Sequence, residues 1–219
     1  DDEIDPAKIG CDHIVDRIAE IRDRIGWNVG IGVDFHGRIR KAMAKIVAHE
    51  LEPLKPMFIE EPLLPEHLDS LEVIQQQTSI PLATGERLYG RNDFKILLQH
   101  GWVDIIQPDL SHAGGIWETR KIAAMAESYD VAVAPHCPLG PIALASSLQL
   151  DFCTPNAIIQ ESSMGIHYHE DRPDLLDYLS NPEVFEVENG YIQRNELPGL
   201  GIDLNEQKIR KASQEGHNW

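Results

Sequence analysis

The chain has 219 residues, with 19 Lys+Arg against 36 Asp+Glu, a formal net charge of −17. Nucleic acids and anionic membranes are gripped through Lys and Arg, so this balance argues against both as partners. Hydrophobic residues at 42% and charged residues at 25% are ordinary for a globular domain, which excludes disordered and collagen-like classes. No stretch approaches the roughly 18 uncharged apolar residues of a membrane span, and the acidic opening is the reverse of a signal peptide's basic start. A soluble, cytoplasmic protein is expected. Cys11, Cys137 and Cys153 include no CxxC pair and read as plain thiols, not as a disulfide framework or zinc site. The chain opens on polar residues without Met, so it is expected to begin partway through a larger protein.

In chain order, a helical pattern over 13–25 precedes the first of six short apolar runs, at 29–34, 57–60, 80–86, 103–109, 131–136 and 157–161. Amphipathic stretches at 41–51, 67–77, 92–99, 115–129 and 141–150 fall between successive runs. Strict alternation of strand and helix predicts an α/β fold with a parallel sheet, and continuous apolar runs predict strands covered on both faces. Residues 162–219 are less regular and hold Pro173, Pro182 and Pro198. They are expected to supply a last barrel helix and a return segment, with the barrel portion at 1–190 and the return segment at 191–219.

Each apolar run ends in a residue able to ligate a metal or move a proton. These are Asp34, Glu60, Glu86, Asp109, His136 and Glu161, spaced by 26, 26, 23, 27 and 25 positions. That step is one βα unit, and in a parallel barrel every strand ends at the same rim, so six polar side chains converge on one cavity. The expectation is a (β/α)8-type TIM barrel lacking its first two strands. An open doubly wound sheet predicts a Gly-rich phosphate turn after the first strand, and none has that spacing.

Asp34, Glu60 and Glu86 form three successive carboxylates that repel one another unless a cation neutralises them. Hard oxygen ligands on rigid strands suit Mg2+ better than zinc or copper. The bland alternative is that each acid pairs with a nearby cation, Arg38 or Arg87, or caps the next helix. His36 lies two residues past Asp34, so strand alternation predicts that it faces the same side. His136 and Asp109 close neighbouring strands, an arrangement in which the carboxylate fixes the imidazole tautomer and raises its basicity. Glu161 either hydrogen-bonds a substrate or caps the segment after it. The remaining histidines read as solvated or structural, with His112 and His167 set apart by their place in loops at the rim.

Gly32-Val-Asp34-Phe-His36-Gly-Arg38, Phe58-Ile-Glu60-Glu61-Pro62, Thr84-Gly-Glu86-Arg87, Gln107-Pro-Asp109 through Gly115 and Ala134-Pro-His136-Cys-Pro-Leu-Gly-Pro141 together resemble the enolase superfamily. Within it the mandelate racemase subgroup, and there the D-galactonate dehydratase family, is the best fit along nearly the whole chain. The resemblance implies Mg2+ held by Asp34, Glu60 and Glu86, with Glu61 behind them. It implies His136, paired with Asp109, as the base that removes the proton alpha to a carboxylate, His36 as the acid, and Glu161 on substrate or enolate. It further implies a small sugar-acid substrate converted to a 2-keto-3-deoxy acid, a capping α+β domain absent from this chain, and a homo-oligomer when full length. Dehydration of another aldonic acid such as gluconate, or a non-catalytic metal-binding barrel fragment, are the alternatives.

Overall fold

The computed structural model describes residues 11–164 and 174–214. Helix α1 (Cys11–Ile25) leads into five alternating units: β1 (Gly32–Asp34), α2 (Lys41–Glu50), β2 (Phe58–Glu60), α3 (Leu71–Gln75), β3 (Leu82–Thr84), α4 (Arg91–His100), β4 (Ile105–Ile106), α5 (Gly115–Glu127), β5 (Ala132–Val133) and α6 (Pro141–Asp151). All five strands pair in parallel, in the order β1-β2-β3-β4-β5. A doubly wound sheet reverses its strand order at a switch point. Here sequence order and spatial order coincide, as in consecutive units of a barrel.

The strands are shorter than the apolar runs. Gly85, at φ 150°, follows β3 directly, and Pro108 and Pro135 stand one residue before Asp109 and His136. Proline has no N–H to donate, so the ladder stops there. Glu86, Asp109 and His136 consequently sit on the turns beyond their strands, not on the strands. The sixth predicted run joins the sheet through a single parallel bridge, Val133 to Ala157. The predicted helix over 67–77 is split: a 3-10 helix (Pro65–Ser70) is broken at His67, where φ is −125°, before α3 begins.

Side chains on the strands alternate between two apolar layers. Val33, Ile59, Leu82, Ile106 and Val133 join Val47, Leu51, Ile74, Phe94, Leu97 and Ile122 from the helices in the main core. Ala83, Ile105 and Ala134 make a smaller cluster with Phe58 and Ala132 on the opposite face. Both faces are buried along β3 and β4, whereas β1 exposes Gly32 and Asp34 and β2 half-buries its second face. Arg22 is 4% exposed and anchors the end of α1 by donating to the carbonyls of Gly26, Val29, Leu54 and Lys55 at 2.7–3.3 Å.

Among the described residues after 162 come first two 3-10 helices (Leu175–Tyr178 and Pro182–Phe185). A two-stranded hairpin of β6 (Val187–Glu188) and β7 (Tyr191–Ile192) and helix α7 (Glu206–Gln214) follow. Pro182 opens the second 3-10 turn, and runs this short and proline-bounded do not propagate an α-helix. Asn189 and Gly190, both at positive φ, make the two-residue hairpin turn. The 190/191 division passes through that turn. Leu179 bridges Leu204, and Leu179 and Phe185 pack with Leu144 and Leu148 of α6, which ties this segment to the barrel. His167, His169, Pro173 and His217 lie outside the described residues.

Candidate active site

Register assembles the first part of the site. Asp34 and Glu60 are partners on β1 and β2, so their carboxyls leave neighbouring positions of the same rim. Glu86 arrives from the turn after β3 and is 7% exposed. Burial pushes the Glu60 carboxyl up to about 7; the Gln107 side chain opposes this by hydrogen bonding, and the charges of Asp34, Glu161 and Glu86 reinforce it. Three of the predicted acids thus act on the fourth, Glu60.

His36 reaches this group by a route that alternation does not describe. β1 ends at Asp34, and His36 sits in a turn at φ 49°. The Asp34 Oδ1 accepts the His36 backbone N–H at 2.6 Å, and Asp34 Oδ2 lies 3.1 Å from the ring Nδ1. The expectation of a shared face is met, but by an Asx-type turn and not by the pleat of a strand. The same Nδ1 stands 3.7 Å from Glu86 Oε1.

On the other side His136 Nδ1 lies 2.9 Å from Asp109 Oδ2, as the strand order predicts, and its Nε2 lies 3.3 Å from Glu86 Oε2 and 4.0 Å from Glu161 Oε2. Burial pulls the His136 ring down, but the Asp109 hydrogen bond and the charges of Glu161, Glu86 and Asp109 outweigh it and hold the ring above its ordinary pKa. Burial raises Asp109 in turn. The His136 ring, the Ser111 N–H and the charges of His112 and His136 more than offset that, leaving Asp109 below its ordinary value. Glu161 is itself held in place, with its Oε2 accepting the Cys137 N–H at 2.7 Å.

A second set of contacts lies behind the acids. Glu61 is almost fully buried at φ 41° and accepts from the Thr84 hydroxyl and the Gly85 N–H. Burial raises its carboxyl, against those two hydrogen bonds. Arg87 Nε is 3.3 Å from Glu86 Oε1 and 3.8 Å from Glu61 Oε2, so the local Arg pairing foreseen as the bland alternative does occur at Glu86. His112 Nδ1 lies 2.9 Å from the Glu86 carbonyl. Sequence reasoning missed Gln107 as a partner of Glu60, although it stands in the same Gln107-Pro-Asp109 stretch as the His136 partner. It also missed the Cys137 backbone, for which no residue-type signal exists. Cys137 and Cys153 are free thiols.

Among the described residues, no group of three or more His, Cys, Asp or Glu side chains stands close enough together to grip a metal ion as arranged. The donor chemistry nevertheless fits a hard cation. Oxygen ligands predominate, and the charges of Asp34, Glu161 and Glu86 reinforce the raised proton affinity of the Glu60 carboxyl. Among the described residues no helix is long and apolar enough to cross a membrane.

A family model described as "Enolase C-terminal domain-like" matches residues 4–208. D-galactonate dehydratase of Ralstonia pickettii (strain 12J) is 53% identical over 208 residues, covering 95% of this chain and 54% of that protein. A mandelate racemase/muconate lactonizing enzyme structure from Jannaschia sp. CCS1 aligns with a TM-score of 0.82 at 35% identity, covering 92% of this chain and 50% of its own. An enolase from Pantoea ananatis, solved with bound D-gluconate and Mg, aligns with a TM-score of 0.80 at 33% identity, covering 92% and 47%. The chain spans about half the length of the curated relatives it matches. With its strand order, its rim of acids and this similarity over nearly all its residues, the chain belongs to the enolase C-terminal domain-like family and is a TIM-barrel domain of the enolase superfamily.

Proposed function

We propose that this barrel carries the chemistry of a Mg2+-dependent D-galactonate dehydratase acting in the cytoplasm, with Asp34, Glu60 and Glu86 as the metal ligands. The observation that carries the reading is that two imidazoles address the two oxygens of one carboxylate, His36 at Glu86 Oε1 and His136 at Glu86 Oε2. A substrate bound between those rings has a base on one side and an acid on the other. A divalent cation at the three acids supplies positive charge against the substrate carboxylate, where an alpha-proton removal otherwise places a second negative charge.

His136 takes the alpha proton on Nε2, with Asp109 on Nδ1 fixing the tautomer and stabilising the imidazolium that results. Nε2 faces Glu86 at 3.3 Å, so the base function needs that carboxylate drawn off the ring. The 3-hydroxyl then leaves as water with a proton from His36, and the enol tautomerises to 2-keto-3-deoxy-D-galactonate. Glu161, held by the Cys137 N–H, is placed to accept a hydrogen bond from substrate. Residues 191–219 are proposed to face a capping domain, and the assembled enzyme to be a homo-oligomer.

The Pantoea ananatis enolase was solved with D-gluconate, which keeps a second aldonic acid in view as substrate. Incubating the full-length enzyme and Mg2+ with a panel of aldonic acids, and assaying 2-keto product, tests both readings. Turnover of D-galactonate above all others supports the first, and turnover of D-gluconate alone replaces it with the second. Silence on every acid overturns the dehydratase assignment.

A further inference from the structure

The Arg87 guanidinium touches the ends of three successive units. Its Nε faces Glu86 of the β3 turn at 3.3 Å and Glu61, after β2, at 3.8 Å, while Nη2 donates to the His36 carbonyl beyond β1 at 3.1 Å. That carbonyl belongs to a turn with two residues in the left-handed region, His36 at φ 49° and Gly37 at φ 61°. A non-glycine residue there is strained and persists only where its surroundings hold it. The holders are identifiable: the Asp34 carboxylate on the His36 N–H, the Glu61 carbonyl on the Gly37 N–H at 2.8 Å, and Arg87 on the His36 carbonyl. Of these three holders, Arg87 is the one whose side chain also pairs with Glu86, the second carboxylate beside the His36 ring. The close fit leaves no space at Gly37, where an added Cβ would lie 2.9 Å from Arg87 Nη1 and 2.7 Å from Leu64 Cδ2.

We infer that Arg87 is a positioning residue that sets where the His36 imidazole stands relative to Glu86, by fixing the main chain of its turn. This inference rests on the proposed role of His36 as acid and deepens it. A role in charge balance alone, against Glu61 and Glu86, needs only a cation. The positioning role needs the planar fork, because a carboxylate and a carbonyl on different segments are engaged at once, and a lysine offers a single point charge.

The discriminating variant in the full-length enzyme is therefore Arg87→Lys. Dehydration is expected to fall about tenfold to a hundredfold further than alpha-proton exchange with D2O, because a displaced acid disables elimination while leaving the base in place. Independently of turnover, the rate at which diethyl pyrocarbonate modifies His36 at fixed pH, followed by peptide mass spectrometry, should rise severalfold while that of His136 stays constant. If Arg87→Lys melts below the assay temperature, the His36 and His136 modification rates are compared with those of the parent enzyme at a temperature where both proteins are folded. Wild-type behaviour in dehydration and in His36 modification would overturn the inference and leave Arg87 as a counter-charge. Should the parent enzyme dehydrate no sugar acid, the function fails, and the modification rate alone still decides whether Arg87 holds His36.

Discussion

Asp34 and Glu60 are register partners on adjacent parallel strands, and the second of them carries a carboxyl raised to about 7 by burial and by the charges of Asp34, Glu161 and Glu86. Like charges at facing positions of a sheet repel, and a divalent cation removes that cost. Mg2+ at about a hundredfold over its dissociation constant is expected to stabilise the protein by roughly 2.7 kcal/mol. For a chain of this size that is a rise in Tm of roughly 5–10 °C. Glu60→Gln should abolish the rise, as read by thermal melts with Mg2+ or with EDTA. An undiminished rise in the variant would remove Glu60 from the ligand set.

His36→Asn separates the two halves of the proposed reaction. Loss of an acid in general acid–base catalysis costs about 10²–10⁴-fold, so keto-acid formation should drop by that much. Exchange of the alpha proton in D2O, which needs only the His136 side, should persist. If exchange disappears as well, His36 is more than the acid.

Asp109→Asn tests the other ring. The amide cannot stabilise an imidazolium as the carboxylate does, and it offers Nδ1 an ambiguous partner, so the tautomer with a free Nε2 is no longer enforced. Exchange and dehydration should fall together, by about 10²-fold or more, with the far-ultraviolet circular dichroism unchanged. A fall in dehydration alone would count against His136 as base.

Asp151, at the end of α6, has both carboxylate oxygens out of solvent with no hydrogen-bond partner among the described residues, and burial raises its carboxyl to about 7. Its ordinary value of 3.8 is the unfolded reference. Because the folded state holds the proton more tightly, no cost arises below pH 3.8, the cost grows as pH climbs toward 7, and it is full above. Asp151→Asn should therefore stabilise the protein by about 1–3 kcal/mol at pH 8 and hardly at all at pH 4, allowing for relaxation around a buried charge. Denaturant titrations at the two pH values measure the difference. Equal effects at both would show that the carboxyl is not strained by charge.

Gly85 holds φ 150° between β3 and Glu86, and a Cβ there would lie 2.9 Å from the Gln107 backbone and from the Phe94 ring. Gly85→Ala should destabilise by roughly 1–3 kcal/mol, the range for overpacking a filled site. It should also weaken Mg2+ binding, since Glu61 accepts the Gly85 N–H and Gln107 supports Glu60. Calorimetric titration of Mg2+ into the variant measures the second effect, and an unchanged affinity would separate this turn from the proposed metal site.

The pairing of Asp109 with His136 was legible because consecutive units of a parallel sheet lie side by side, so residues closing neighbouring runs must meet. The kink at His67, the single bridge at Ala157 and the short turns between 175 and 185 were not legible, because apolar pattern shows where a segment can be buried and not whether its ladder closes. His36 is the instructive case. Its proximity to Asp34 followed from a separation of two, but the turn that creates it depends on an Asp34 side-chain hydrogen bond and a left-handed residue, which alternation cannot express.

Composition and the period of about 25 residues determined the parallel βα architecture and the set of acids and histidines at one rim, since both are local properties of a repeating hydrophobic pattern. Only the tertiary structure decided that Glu86 stands between the two imidazoles, that Gln107 reaches Glu60, and that Arg87 spans three chain segments. The contacts of Glu86 with His36 and His136 and of Arg87 with His36 join residues some fifty positions apart at 3.1–3.7 Å, and distances that small are set by how turns pack once the sheet has formed, which no local pattern encodes.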